Sequence, residues 1–278
     1  MGRNGSSPIR VASFGHALFA AILIAIGIVG LVTRDFGVIW SGVPKATPAR
    51  AAIAWLCAFV CIGCGIGILL RRTALLAARV LFLFLVAWML AFRVPLLFTM
   101  RGAPAAWWVC GETAVVMAGA WVLCVWFGAR SRLAFATGDS GVRIAGMLYG
   151  LALIPFGVAH FTFLERTVGL VPGWLPWHTA WAYFTGGAFV AAGIALVLGV
   201  FAPLAATLST IEMGLFTVIV WVPIVVRGTD AANWNEFVDS VAMTAGGWLV
   251  ADACVRSLRT SFGLSRSARS ISLSSAAK

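Results

Sequence analysis

His160 has the widest chemical reach of any residue in this chain. It stands near the end of an apolar run, just before a loop rich in Trp and Pro. An imidazole there is able to bind a metal or haem, to hydrogen-bond a quinone carbonyl, or simply to fix the loop through its backbone. The last is the plainer reading. A helical haem site calls for a second ligand, but His16 lies towards the other end of its own run and His178 sits in the loop, so no metal is expected. Three acids, Glu112, Glu212 and Asp239, fall within or at the edge of apolar runs. Each costs at least about 2.5 kcal/mol to insert in a bilayer, so each calls for a partner or water. Arg93 and Arg227 end the preceding runs at a similar level, and Arg93 is the predicted partner of Glu112. Glu212 is the deepest acid, beside Ser209 and Thr210, and is either a proton-handling group or a neutral, hydrogen-bonded one. Cys57, Cys61 and Cys64 share a helical face, and Cys61 and Cys64 have the spacing of a redox or half-metal pair. Small-residue packing among Gly63, Gly65 and Gly67 is preferred for them.

These residues need a scaffold that crosses a membrane. Of the 278 residues 62% are hydrophobic and 10% charged, far fewer charges than a soluble domain carries. The net charge of +11 comes from Arg residues at the ends of apolar runs and in the C-terminal stretch, which suits an anionic lipid surface and leaves no basic face for nucleic acid. Eight segments are long enough to span: 11–32, 51–70, 73–92, 107–127, 142–163, 181–201, 204–226 and 238–255. The first is longer than a signal-peptide core and reads as a retained helix. Asp239 and Asp252 shorten the charge-free centre of the eighth. Trp174, Trp177 and Trp181 mark a membrane–water boundary. No phosphate loop, nucleophile elbow or zinc motif of a soluble enzyme is present in the sequence.

An internal repeat sets the expected architecture. A displacement of 128 residues carries Pro48 onto Pro176, Trp55 onto Tyr183, Gly65-Ile66 onto Gly193-Ile194 and Val94-Pro95 onto Val222-Pro223. A displacement of 127 carries Trp107 onto Trp234, Glu112 onto Asp239, Gly119 onto Gly246 and Trp121 onto Trp248. The predicted fold is therefore all-α, with eight transmembrane helices in two four-helix bundles. An even number of helices per bundle makes the repeat parallel, about an axis along the membrane normal. The expected divisions are a cytoplasmic segment 1–10, repeats at 11–128 and 142–256, a linker 129–141, and a disordered basic tail 257–278. Alternating spans put 13 basic residues on the side of the termini and 7 on the other, so both termini are expected in the cytoplasm of a cell-membrane protein.

Ala159-His160-Phe161, Val171-Pro172, Leu175-Pro176-Trp177 and Tyr183-Phe184-Thr185-Gly186, followed by a Gly/Ala-rich helix, resemble the DoxX family of membrane proteins. The resemblance covers about 45 residues and extends loosely to both halves. Phe189 stands where such proteins often carry a Glu, and Val32 stands where the second half has His160. The resemblance implies a bacterial four-helix membrane unit, an accessory or redox-associated subunit without catalysis of its own. It implies a quinone or lipid site near the outer leaflet around His160, Trp174 and Trp177, and a membrane redox partner or a homo-oligomer. A small-solute transporter with Glu212 in its path, or a structural subunit, are the alternatives.

Overall fold

A computed structural model of the chain describes residues 9, 11–36, 38–40, 42–128, 137–228 and 230–276, with 38, 231 and 261–276 as backbone alone. Of the 13 basic residues counted above on the side of the termini, Arg3, Arg10, Arg130, Arg132, Arg266, Arg269 and Lys278 lie outside the described side chains. The described residues are helical, and eight helices are long and apolar enough to cross a membrane. They are α1 (Phe14–Thr33), α2 (Arg50–Leu69), α3 (Ala74–Thr99), α4 (Pro104–Phe127), α5 (Gly138–Thr162), α7 (His178–Leu198), α8 (Ala202–Arg227) and α9 (Ala231–Ala276). A short helix, α6 (Leu164–Leu170), lies between α5 and α7, in a stretch expected to be loop.

Local chemistry sets the helix ends. Ser13 caps α1, its side chain accepting from the His16 N–H, and Pro104 and Pro203 occupy the first turns of α4 and α8. Both α3 and α8 widen into a π-helical turn, Met89–Arg93 and Phe216–Trp221, immediately before a Val-Pro pair. Pro95 and Pro223 donate no N–H and crowd the preceding turn, and one π turn absorbs the misfit without ending the helix. The helices thus run on to Thr99 and Arg227, beyond the ends at 92 and 226 read from hydropathy.

Helices α4 and α9 form the centre and pack on one another, flanked by α3 and α5 on one side and α8 and α1 on the other. Small residues allow the closest approaches. A Cβ on Gly119 would lie 3.0 Å from Cα of Gly246, so α4 and α9 meet backbone to backbone. Two other contacts share one geometry. Gly27 of α1 abuts Ala58 O and Ile62 of α2, and Gly157 of α5 abuts Gly186 O and Val190 of α7. Gly65 abuts Ala20 O and Ile24, as Gly193 abuts Gly150 O and Ile154. The partners in α2 and α7 are 128 residues apart, but those in α1 and α5 are 130 apart.

Arg256 donates to Ala12 O at 2.7 Å and lies over the Trp126 ring, while Ser257 hydrogen-bonds Asp139; these contacts gather the two ends of the helical core on one face, here called proximal. The same ties carry α9 past Val255. Its backbone stays helical to Ala276, across the stretch expected to be a disordered tail. No Pro and only one Gly follow Ser257 to stop the helix. The opposite, distal face carries α6 and the ion pairs Arg50–Asp35 (2.8 Å) and Arg166–Glu236 (3.1 Å).

Candidate functional site

On the distal side, α4, α5, α6, α7, α8 and α9 line a cavity of about 140 Å³. His160, Glu112, Asp239, Ser240, Glu236 and Arg166 supply its polar groups, and Trp108, Phe156, Phe189 and Trp221 much of its apolar wall. Helix α6 contributes Arg166, Thr167 and Leu170, and the Arg166–Glu236 pair ties α6 to the start of α9. The π turn of α8 supplies Trp221.

His160 is held by its own helix. Its Nδ1 lies 2.8 Å from the carbonyl oxygen of Phe156, and a carbonyl only accepts, so Nδ1 carries the proton. The neutral ring then offers Nε2 as an acceptor, and no group among the described residues hydrogen-bonds it. Phe216 stacks on the ring at 5.9 Å and Phe189 tilts against it at 5.6 Å. His16 is the contrasting case. The Ala12 N–H donates to its Nδ1 and its Nε2 meets Ile68 O at 3.0 Å, so both nitrogens are used in closing the proximal end of α1.

Asp239 is 2% exposed, and its Oδ1 has no hydrogen-bond partner. Arg93 is wholly buried, its Nε donating to Thr113 Oγ1 at 3.0 Å and its Nη2 to Ile39 O at 3.3 Å. The guanidinium donates to these two neutral oxygens, and the expected direct pair with Glu112 is not found among the described residues. Glu112 and Asp239 are the acids in its field, so the three ionisable groups form one cluster where α4 and α9 meet. Ile39 and Trp40, in the turn between α1 and α2, are also buried and fill the space beside Arg93.

Glu212 and Trp174 belong elsewhere. They line an apolar groove of about 490 Å³ between α7 and α8, with Trp181, Phe184, Leu208 and Ile211. Ser209 and Thr210 turn away from Glu212 towards Tyr149, at 3.2 and 3.4 Å. Oε1 of Glu212 is buried without a hydrogen-bond partner. Trp177 is 79% exposed and lines neither space. Groove and cavity adjoin, sharing Thr167, Leu170 and Trp221 as a common wall. Cys57, Cys61 and Cys64 are buried and unpaired by disulfide, and the Trp40 indole donates to Cys61 Sγ at 3.1 Å. Among the described residues no group of three His, Cys, Asp or Glu is placed to hold a metal ion.

Residues that reading by type passed over complete the picture. Tyr149 is fully buried and meets Ser209, Thr210 and Met213, and Thr217 meets Ser240 and Thr244 at 2.7 and 3.2 Å. The spacing of Ser240, Thr244 and Gly247 along one face of α9 was the available signal. No protein-family model, curated protein or solved structure matches this chain. Its functional reading comes from the site's own chemistry.

Proposed function

We propose that this chain is a polytopic membrane protein that holds a quinol-class amphiphile at the distal leaflet, as an accessory to a membrane redox partner and without catalysis of its own. The observation that carries this is the shared wall. An apolar groove open to the acyl chains of a bilayer ends against a cavity with several polar groups, so one molecule with a long apolar tail and a small polar head suits both. His160 Nε2, as a neutral acceptor, and the carboxyl groups of Glu112 and Asp239 can accept hydrogen bonds. The His160 acceptor matches an O–H group of a quinol better than a carbonyl of a quinone, which narrows the expectation drawn from His160.

The resemblance to DoxX proteins and the two-bundle repeat belong to the same proposal. The repeat is supported by the matched glycine contacts of α1–α2 and α5–α7, by the π turns before Pro95 and Pro223, and by the close approach of Gly119 to Gly246. We take the proximal face as cytoplasmic and the membrane as the cell membrane. Reporter fusions after Thr137 should report the cytoplasm and fusions at Gly173 the far side, and the reverse pattern would overturn that orientation.

The test of the site is saturable quenching of tryptophan fluorescence by a decyl-tailed benzoquinol, since Trp108 and Trp221 line the cavity. His160→Ala should weaken binding about tenfold, the loss of one hydrogen bond, and the oxidised quinone should bind less tightly than the quinol. Equal, unsaturable quenching by both redox forms would sink the proposal. One observation favours a small-solute transporter instead, a second cavity of about 290 Å³ at the proximal end of the same half. Tail-free hydroquinone binding as tightly as the tailed quinol would support that reading.

A further inference from the structure

Groove and cavity face different sides of the second half. Every residue lining the groove comes from α6, α7, α8 or the connection between α6 and α7. Trp108 and Glu112 of α4 and Asp239 and Ser240 of α9 line the cavity alone. Since α4 and α9 form the centre of the protein, this wall lies on the inner side of the cavity, and the groove lies towards lipid. A ligand with its tail in the groove therefore turns the opposite edge of its ring to the α4–α9 wall.

That wall is polar and confined. Asp239 is 2% exposed, and its Oδ1 has no hydrogen-bond partner among the described residues. A buried polar atom left so is costly, and a polar group of the ligand removes that cost. Volume sets a second limit. The cavity measures about 140 Å³, and a cavity of about 150 Å³ accepts one benzene ring. Phe156 and Phe189, both less than a tenth exposed, pack edge to face at 6.4 Å, so the aromatic side of the cavity does not yield to a second ring.

We infer that the cavity selects a quinol head of one ring whose edge opposite the tail carries a hydroxyl, with Asp239 as the residue that sets this choice. The inference rests on the quinol reading above and adds to it the class of head. A hydroxyl on that edge both donates and accepts, so it pairs with the Asp239 carboxyl in either protonation state. A naphthoquinol has its second ring fused to the same edge. Hydrocarbon would then cover Oδ1 and leave it unsatisfied.

The test is anaerobic calorimetric titration of the full chain in detergent with decyl-tailed heads kept reduced: benzoquinol, benzoquinol with a hydroxyl added opposite the tail, and naphthoquinol. The added hydroxyl should tighten binding about tenfold, the effect of one hydrogen bond to a buried acid. Naphthoquinol should bind about tenfold more weakly than benzoquinol, although its extra apolar area alone favours the reverse. Asp239→Ala should abolish the gain from the added hydroxyl. Asp239→Asn, which keeps polar atoms at the same volume, should retain it. Equal affinity for all the heads, or tighter binding of naphthoquinol, overturns the inference and leaves the quinol reading intact. No saturable binding of any head overturns both. A hydroxyl gain that survives Asp239→Ala overturns the assignment to Asp239. The order of the heads on the unaltered chain decides even where Asp239→Ala does not fold.

Discussion

Arg93→Gln is expected to lower the stability of the protein by about 3–5 kcal/mol, the usual cost of breaking up a buried charge cluster. Arg93 is wholly buried at the junction of α3, α4 and the turn that carries Ile39, and Glu112 and Asp239 share its field. Removing the guanidinium leaves those acids without their compensating charge and strips Thr113 Oγ1 and Ile39 O of a donor. Adding Glu112→Gln should recover part of the loss, because one of the uncompensated charges goes with it. The double variant should therefore cost less than the sum of the two single changes. Recovery stays partial, since the bonds to Thr113 and Ile39 are lost either way. Thr113→Val should cost about 1 kcal/mol, one hydrogen bond, and should add to Glu112→Gln independently. Thermal melting in one detergent across the five variants decides the matter. Strict additivity of Arg93→Gln and Glu112→Gln would show that the two charges do not interact.

Gly157→Ala should be the other costly change. A methyl group at this position meets Gly186 O and the Val190 side chain, and a backbone carbonyl has no rotamer to yield. Overpacking costs about 1–3 kcal/mol, at the upper end against rigid neighbours. The better helix propensity of Ala returns at most about 1 kcal/mol. The net loss is about 2 kcal/mol, with α5 and α7 forced apart where the cavity wall carries Phe156 and Phe189. Gly27→Ala should behave alike, because its Cβ would lie 2.6 Å from Ala58 O. Gly63 has nothing within 4 Å of the same position, so Gly63→Ala should be neutral or slightly stabilising. Equal melting temperatures for Gly157→Ala and Gly63→Ala would mean that close helix approach does not hold the bundle together.

The spanning helices were legible because a bilayer demands about 20 apolar residues in a row, and each run from Val11 to Val255 met that demand. The recurring prolines were legible as positions, but their consequence was not. Whether Pro95 and Pro223 break, kink or widen a helix depends on the packing around Arg93 and Trp221. Helix α6 was hidden because Leu164–Leu170 is too short to carry a period, and its place over the cavity is a tertiary fact. The two histidines looked alike in sequence, each in an apolar helix. Only the fold shows that His16 has both nitrogens bonded and that His160 keeps Nε2 for the cavity. Glu212 was read as sharing a site with Ser209 and Thr210 because they are near in sequence. Successive residues of a helix point about 100° apart, which sends Glu212 to the groove and the hydroxyls to Tyr149. The burial of Ile39 and Trp40 could not be read either, since they belong to a connection and not to a patterned helix.

The most direct measurement is where a bound quinol lies. A benzoquinol with a photoreactive diazirine on its tail, irradiated with the intact protein in liposomes, marks the residues beside that tail. Labels should concentrate on the groove, at Phe184, Leu208 and Ile211, and should fall away when excess unlabelled quinol is present or when His160 is replaced by Ala. Labels spread equally over lipid-facing residues of the first half, such as Phe59 and Leu83, and unaffected by competitor, would contradict a site shared by the groove and the His160 cavity.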